Sequence, residues 1–180
     1  EYEAAVRLNH PNIVRVFHYG QYEGSPWFTM ELVDGIQAQK HVQQLGAAGS
    51  KGRYAEVLRV SACVADALHY VHQRKLVHRD VKSSNVMVLP DGRVKLLYFG
   101  TARVLDAASI TMDGEFVGTY AYASPEQCLG RRADSRSDLY NFGVFLYRLI
   151  VGRRPFAAED PHEMCRQHIE DAPSSLLVSL

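Results

Sequence analysis

The densest run of reactive side-chain types in this chain is one short stretch, His78-Arg79-Asp80-Val81-Lys82-Ser83-Ser84-Asn85, which sets a carboxylate, an ammonium and a carboxamide close together. In-line transfer of a phosphoryl group needs a base at the attacking hydroxyl, cations over the phosphates and firm positioning of every partner. The stretch supplies parts of those kinds. His78 reads as a structural hydrogen bonder, because the neighbouring Asp80 fits the role of base better. A Ser-His-Asp hydrolase is the weaker reading, since no Gly-x-Ser-x-Gly nucleophile elbow occurs. His69 and His72 have a helical spacing that could share a metal, but no further Cys or carboxylate partner is evident, so no metal is assigned to them.

The elements that must position these groups can be read on both sides. Glu1 to Asn9 carries helix formers up to the stop at Pro11, which predicts the last turns of a helix. Ile13–Tyr19 and Trp27–Leu32 are β-rich and flank Glu23-Gly24-Ser25-Pro26, which predicts a hairpin ended by Asp34-Gly35. A short helix is expected over Ile36–Leu45, then a flexible Gly/Ala linker. From Tyr54 to Lys75, Val57, Val60, Val64, Leu68 and Val71 recur in steps of three and four, the stripe of a helix packed on a core. Val86–Leu89 and Val94–Leu97 flank Pro90-Asp91-Gly92-Arg93, which predicts a second hairpin with the reactive residues at its two ends. Residues 102–124 lack any period and read as a long loop. Leu139–Val151 is apolar nearly all round, which predicts a helix buried on every side and stopped by Gly152. Asp160-Pro161-His162-Glu163 carries the start signals of a last helix.

Thirteen residues after Asn85 the chain reads Tyr98-Phe99-Gly100. The compound pattern His-Arg-Asp-x-Lys-x-x-Asn, strand-turn-strand and then Phe-Gly resembles the catalytic loop and Asp-Phe-Gly turn of protein kinases. Lys82, two residues after the Asp, resembles the serine/threonine branch. The likeness extends along the chain. His10-Pro11-Asn12-Ile13-Val14 looks like the segment after the αC helix, with Glu1 at the place of the αC glutamate. Met30-Glu31-Leu32-Val33 resembles gatekeeper and hinge, residues 118–126 the substrate loop ending in Ala-Pro-Glu, and Ser135–Tyr140 the start of a buried helix.

That resemblance implies an α+β, protein-kinase-like fold: a remnant small β-rich lobe over residues 1–33 and a mainly helical large lobe over 34–180, incomplete at its C-terminus. It implies ATP and magnesium as cofactors and a protein as substrate or docking partner. Asp80 would accept the substrate hydroxyl proton, Lys82 would neutralise the phosphoryl group in transfer, and Asn85 would bind one magnesium. Backbone groups of Glu31 and Val33 would hydrogen-bond adenine, with Met87 beneath the ring. Ser109, Thr111 and Thr119 are candidate loop phosphosites read by Arg79, Thr119 also being placed to contact Asp80 and Lys82. Glu1, Phe99, Gly100, Glu126 and Asp138 take structural roles, Asp138 anchoring the catalytic loop.

The departure from the pattern is Tyr98, which stands where the family carries a metal-binding aspartate. A phenol with a pKa near ~10 is neutral at pH 7, and it cannot replace a hard carboxylate for magnesium. Its ring would also tend to enter the nucleotide site. Losing several kcal/mol of charge stabilisation corresponds to about a thousandfold or more in rate. Two readings follow: a serine/threonine kinase domain strongly impaired by Tyr98, with weakened ATP and magnesium binding, or a pseudokinase that holds protein partners or nucleotide. Glu1 without an upstream lysine and Glu126 without a late arginine are expected to be partnerless carboxylates, and low stability follows from that. The chain opens at Glu1 inside a helix-like stretch, so a preceding segment is expected.

Bulk properties limit the alternatives. Twenty basic and twenty acidic residues among 180 cancel to a net charge of +0, which favours neither nucleic acid nor an anionic membrane. No apolar run approaches the ~18 residues that span a bilayer; a soluble, cytoplasmic protein is expected. Cys63, Cys128 and Cys165 are odd in number and widely spaced, which argues against a disulfide framework or a zinc motif. Cys128, beside the substrate loop, reads as a small buried hydrophobe rather than a redox switch.

Overall fold

The structure, a computed structural model, describes residues 6–23, 25–46, 50–97 and 120–176. Glu1, Tyr98, Phe99, Gly100, Ser109, Thr111 and Thr119 lie outside the described residues, as does most of the long loop. The first two strands, β1 (Val16–Tyr22) and β2 (Ser25–Met30), form a hairpin, paired antiparallel with a register shift between Val16 and His18. A second, three-stranded sheet has the order β3 (Ile36–Gln37), β4 (Val86–Val88), β5 (Val94–Leu96). The helices are α1 (Ala38–Gln44), α2 (Lys51–Gln73), α3 (Pro125–Cys128), α4 (Ser135–Val151) and α5 (Pro161–Glu170).

Both expected hairpins form, and Gly92 adopts φ +84° in the turn between β4 and β5, a backbone region that glycine enters without a Cβ penalty. Ile36 and Gln37 are strand rather than helix. They pair with Val88 and Met87 because β4 offers an open edge there, and a β-branched residue fits a pleat better than a first helical turn. Helix α1 therefore starts at Ala38.

The α2 stripe is the centre of the core, with Val57, Val60, Val64, Leu68 and Val71 all buried against α4 and the second sheet. Helix α4 is buried on one face only: Leu139 is 58% exposed while Val144, Phe145 and Leu149 are inside. A uniformly apolar sequence does not say which side meets a partner. The buried face also carries Ser137, Asp138 and Asn141, polar groups that serve the neighbouring loops. Gly152 ends α4 at φ +87°, and Asp160 caps α5 by accepting from the Glu163 N–H at 2.7 Å.

The segment before β1 is tied to the second sheet and to α2. Asn12 accepts from the Leu96 N–H at 2.8 Å, the Val14 N–H donates to the Leu96 carbonyl at 2.9 Å, and the Asn12 carboxamide donates to Val94 at 3.0 Å. His10 pairs with Asp66 at 3.2 Å and tilts over the Tyr70 ring. The first hairpin thus grows from an anchored base.

Candidate active site

The anchor of the site is Asp138, in the first turn of α4 and 0% exposed. Its Oδ2 accepts from the His78 N–H at 2.8 Å and lies 2.7 Å from His72 Nε2, while Oδ1 accepts from the Arg79 N–H at 2.7 Å. Arg79 needs that support. Its φ is +68°, a left-handed conformation that is costly for a residue with a Cβ. On the other side of the same residue, the Gln127 carboxamide donates to the Arg79 carbonyl at 2.8 Å. The two contacts hold one strained residue from opposite sides and turn the chain toward Asp80.

His78 is buried, and burial holds its imidazole below the ordinary histidine range. Its Nδ1 accepts from the Asp80 N–H at 3.2 Å, so the proton sits on Nε2, which donates to the Leu97 carbonyl at 3.0 Å. The histidine is a structural hydrogen bonder, as its sequence context suggests. His72 serves Asp138 and His69 meets Gln73 instead, and no cluster of three or more metal-ligating side chains occurs among the described residues.

Beyond Arg79 the loop brings its three reactive groups together. The Asn85 carboxamide nitrogen donates to the Asp80 carbonyl at 2.8 Å and to Asp80 Oδ2 at 2.9 Å. Lys82 Nζ lies 2.8 Å from the same Oδ2, with the Asp80 side chain 44% exposed and the Lys82 side chain 19% exposed. A 3-10 turn at Ser83–Asn85 produces this convergence, and the Asn85 carbonyl accepts from the Leu97 N–H at 2.8 Å. Both ends of the β4–β5 hairpin are therefore stitched together immediately before residue 98. A carboxylate with one exposed side beside a fixed ammonium can accept a proton and neutralise an anion in one place. Oxygen donors at Asp80 and Asn85 also suit a hard cation such as magnesium: with the Asn85 nitrogen committed to Asp80, Oδ1 is the atom left to ligate.

Glu31 and Val33, the expected hinge positions, follow directly on β2. The Glu31 N–H donates to the Arg15 carbonyl at 2.9 Å, and Glu31 Oε1 accepts from the Arg15 N–H at 2.8 Å and from Lys95 Nζ at 2.6 Å. Burial pushes the Glu31 carboxyl up, but the Lys95 ammonium and the Arg15 N–H outweigh it and leave the pKa below the ordinary value. Met87 lies on β4, half-buried, opposite Lys95 and Gln37. Leu32 and Val33 follow directly on Glu31, with Leu32 in solvent.

Glu126 is not partnerless: Ser137 Oγ donates to its Oε1. Burial raises the Glu126 carboxyl, yet that hydroxyl, its own backbone N–H and the Ser124 side chain hold it below the usual range. The hydroxyl of an N3 residue was available because Ser137 also caps α4 by accepting from the Asp134 N–H at 3.1 Å.

Three supports were not visible in the sequence. Lys95 is buried and also donates to the Ile13 carbonyl at 3.3 Å; its alternation with Val94 and Leu96 was the available hint that it leaves the strand on the opposite face. Gln127 holds Arg79 and accepts from the Ser124 N–H at 2.9 Å and from Asn141 at 3.0 Å. The Tyr122 hydroxyl bonds Ser83 Oγ at 2.9 Å and accepts from Arg148 at 2.7 Å, which fastens residues 120–124 to the loop.

A two-stranded hairpin hinged to a helical body, with an Asp-x-Lys-x-x-Asn loop anchored on a buried helix, is the α+β architecture of a protein kinase. The chain belongs to the protein kinase domain family, whose family model matches residues 1–178. It is 36% identical over 178 residues to the serine/threonine-protein kinase PknB of Mycobacterium leprae, covering 96% of this chain and 28% of that protein. Against the serine/threonine-protein kinase PknF of Mycobacterium tuberculosis it is 36% identical over 181 residues, covering 98% of this chain and 38% of PknF. The chain thus spans well under half the length of these curated relatives. Among solved structures, the PknI kinase domain of Mycobacterium tuberculosis superposes with a TM-score of 0.68 at 30% identity, covering 96% of this chain and 69% of that one. A double mutant of the same domain gives a TM-score of 0.69 at 28% identity, covering 94% of this chain and 74% of that one. No helix among the described residues is long and apolar enough to cross a membrane.

Proposed function

We propose that this chain is the catalytic part of a serine/threonine protein kinase that transfers the γ-phosphoryl group of ATP to protein hydroxyls, with Tyr98 strongly lowering its turnover. The carrying observation is the convergence of Lys82 Nζ and the Asn85 carboxamide on Asp80 Oδ2, at 2.8 Å and 2.9 Å. With Oδ2 held, Asp80 Oδ1 accepts the proton of an incoming serine or threonine hydroxyl. Lys82 neutralises the phosphoryl oxygens as charge spreads over them. Asn85 Oδ1 would hold a magnesium ion, which would supply charge neutralisation at the phosphates. Glu31 has its N–H in the sheet and its side chain on Lys95, so its carbonyl and the backbone of Val33 are the groups offered to adenine, over Met87. Residues 1–33 are the small-lobe portion and 34–180 the large-lobe portion, with Arg79 reading phosphates at Ser109, Thr111 or Thr119.

Tyr98 supports a second reading, a pseudokinase that binds a protein partner or nucleotide without turning it over. The test compares the full-length protein with its Tyr98→Asp variant for transfer of labelled phosphate to a generic protein substrate in magnesium. A rise of about a thousandfold or more on restoring the carboxylate is expected. Silence in both proteins, with magnesium-independent nucleotide binding by thermal shift, would overturn the kinase reading in favour of the scaffold.

A further inference from the structure

Helices α3 and α5 pack side by side, and a cavity of about 250 Å³ opens between them, lined by Tyr120, Gln127, Cys128, His162, Cys165 and Arg166 among others. Two of the three cysteines of the chain thus meet at one cavity wall, although 37 positions separate them in sequence. Both thiols are free and half-buried, and both line the same cavity wall between the two packed helices. Cys128 packs against the hydrophobic core, as its sequence context suggests, but with a second thiol on the same cavity wall. Cys63, the third, lies on α2 away from the pair.

We propose that Cys128 and Cys165 are a dithiol pair that closes to an intramolecular disulfide in hydrogen peroxide and reopens under thiol reductants, pinning α3 to α5. In the first step the Cys165 thiolate attacks one peroxide oxygen; the O–O bond breaks and hydroxide leaves, taking a proton to become water. Cys165 becomes a sulfenic acid. The Cys128 sulfur then attacks the Cys165 sulfur, the S–S bond forms, the S–O bond breaks, and the departing hydroxide takes the Cys128 proton as a second water. Two thiols and one peroxide give one disulfide and two waters.

The order of steps follows from the surroundings. The Cys128 thiol stabilises the Cys165 thiolate by hydrogen bonding and brings its pKa below the ordinary thiol value, against burial and the Asp160 carboxylate. Cys128 is pushed upward by the Cys165 sulfur first, then by burial and the Glu126 carboxylate. Cys165 is thus the attacking sulfur and Cys128 the resolving one. Arg166, Ile169 and Glu170 in the cavity lining are exposed, so the cavity is within reach of a molecule as small as peroxide. A pair of this kind fits reducing surroundings, where disulfides are transient and sense oxidant. The bond would form next to Gln127, the residue that carries the Arg79 carbonyl.

The test treats the dilute full-length protein with hydrogen peroxide and maps its thiols by non-reducing peptide mass spectrometry. The expected product has lost two hydrogens, links the Cys128 and Cys165 peptides within one molecule, leaves Cys63 free, and reverts with dithiothreitol. In the Cys128→Ala variant, Cys165 is expected to stop at a sulfenic acid trapped by dimedone. The unsubstituted protein carries the primary reading, so a folding defect in the variant does not blunt it. Absence of the linked peptide pair, a link that appears only between molecules, or a link through Cys63 would each overturn the proposal. Preferential dimedone labelling of Cys128 in a Cys165→Ala variant would overturn the assigned order.

Discussion

Replacing Asp138 by alanine removes a carboxylate with no solvent exposure that accepts from the His78 and Arg79 N–H groups at 2.8 Å and 2.7 Å and lies 2.7 Å from His72 Nε2. A hydrogen bond to a charged group contributes about 1.5–3 kcal/mol net, and a buried donor left without an acceptor costs about 1–3 kcal/mol. Arg79 adds to this. Its left-handed backbone, at φ +68°, stores about 1–3 kcal/mol of strain that the carboxylate and Gln127 hold in place. These terms overlap, because a loop that relaxes recovers strain as it loses bonds, so Asp138→Ala is expected to destabilise the fold by about 3–5 kcal/mol. Asp138→Asn keeps an oxygen for Arg79 but turns an amide toward the His78 N–H, and should cost about 1–2 kcal/mol. Urea unfolding gives the global term. Amide exchange at residues 78 and 79 gives the local one, and for the alanine variant it should accelerate about a hundredfold or more even where the loop opens by itself. An alanine variant within about 1 kcal/mol of the parent, with those two amides still slow, would refute the argument that α4 holds the loop.

Two other expectations concern buried charge. His168 is buried, and burial lowers its pKa to about 4, so the folded protein resists a proton that the unfolded chain accepts near 6.5. Stability is therefore full above pH 6.5 and is lost as pH falls toward 4, by about 3 kcal/mol from this group. Urea unfolding at pH 7 and pH 4 should show that loss in the parent in excess of His168→Phe, whose change is a pH-independent offset; parallel profiles would contradict it. Lys95 Nζ and Glu31 Oε1 meet at 2.6 Å with the lysine buried, so Lys95→Met strands a carboxylate and should cost about 1–3 kcal/mol, most of it recovered in the Lys95→Met/Glu31→Gln double variant. Glu31 has a lowered pKa, so its contribution holds above its unfolded value of 4.5 and fades as pH falls through the folded one; the lysine variant should lack that dependence.

What could be read from the order of residues, and what could not, follows how far apart the partners lie. The α2 stripe needs only a local period, and all five of its residues are in the core. The caps at Asp160 and Gly152 and the Gly92 turn depend on two or three neighbours, and they form as expected. Asp80, Lys82 and Asn85 fall within six positions, so their convergence was legible as soon as their types were. Ile36 went astray because an open strand edge 52 positions away competes with the helix it could have started. Leu139 went astray because hydropathy counts apolar residues without saying which face is covered.

The geometry of the loop belongs to the remote class. Its donors and acceptors are Asp138, Gln127 and Tyr122, at separations of 59, 48 and 39 positions from Arg79, Arg79 and Ser83. Asp138 is marked only through the family resemblance of Ser135–Tyr140, and the other two are not marked at all: a Gln after a Glu and a Tyr in a loop are ordinary surface residues by type. Gln127 and Tyr122 become visible only when α4 and the segment 120–128 close over the loop, because a positive φ at Arg79 and buried N–H groups at 78 and 79 must be satisfied from outside. The chemistry of this site is thus written in eight adjacent residues, whereas its precision is set by groups on other elements. A substitution at Gln127 or Asp138 can misplace Asp80 while every residue from 78 to 85 stays unchanged.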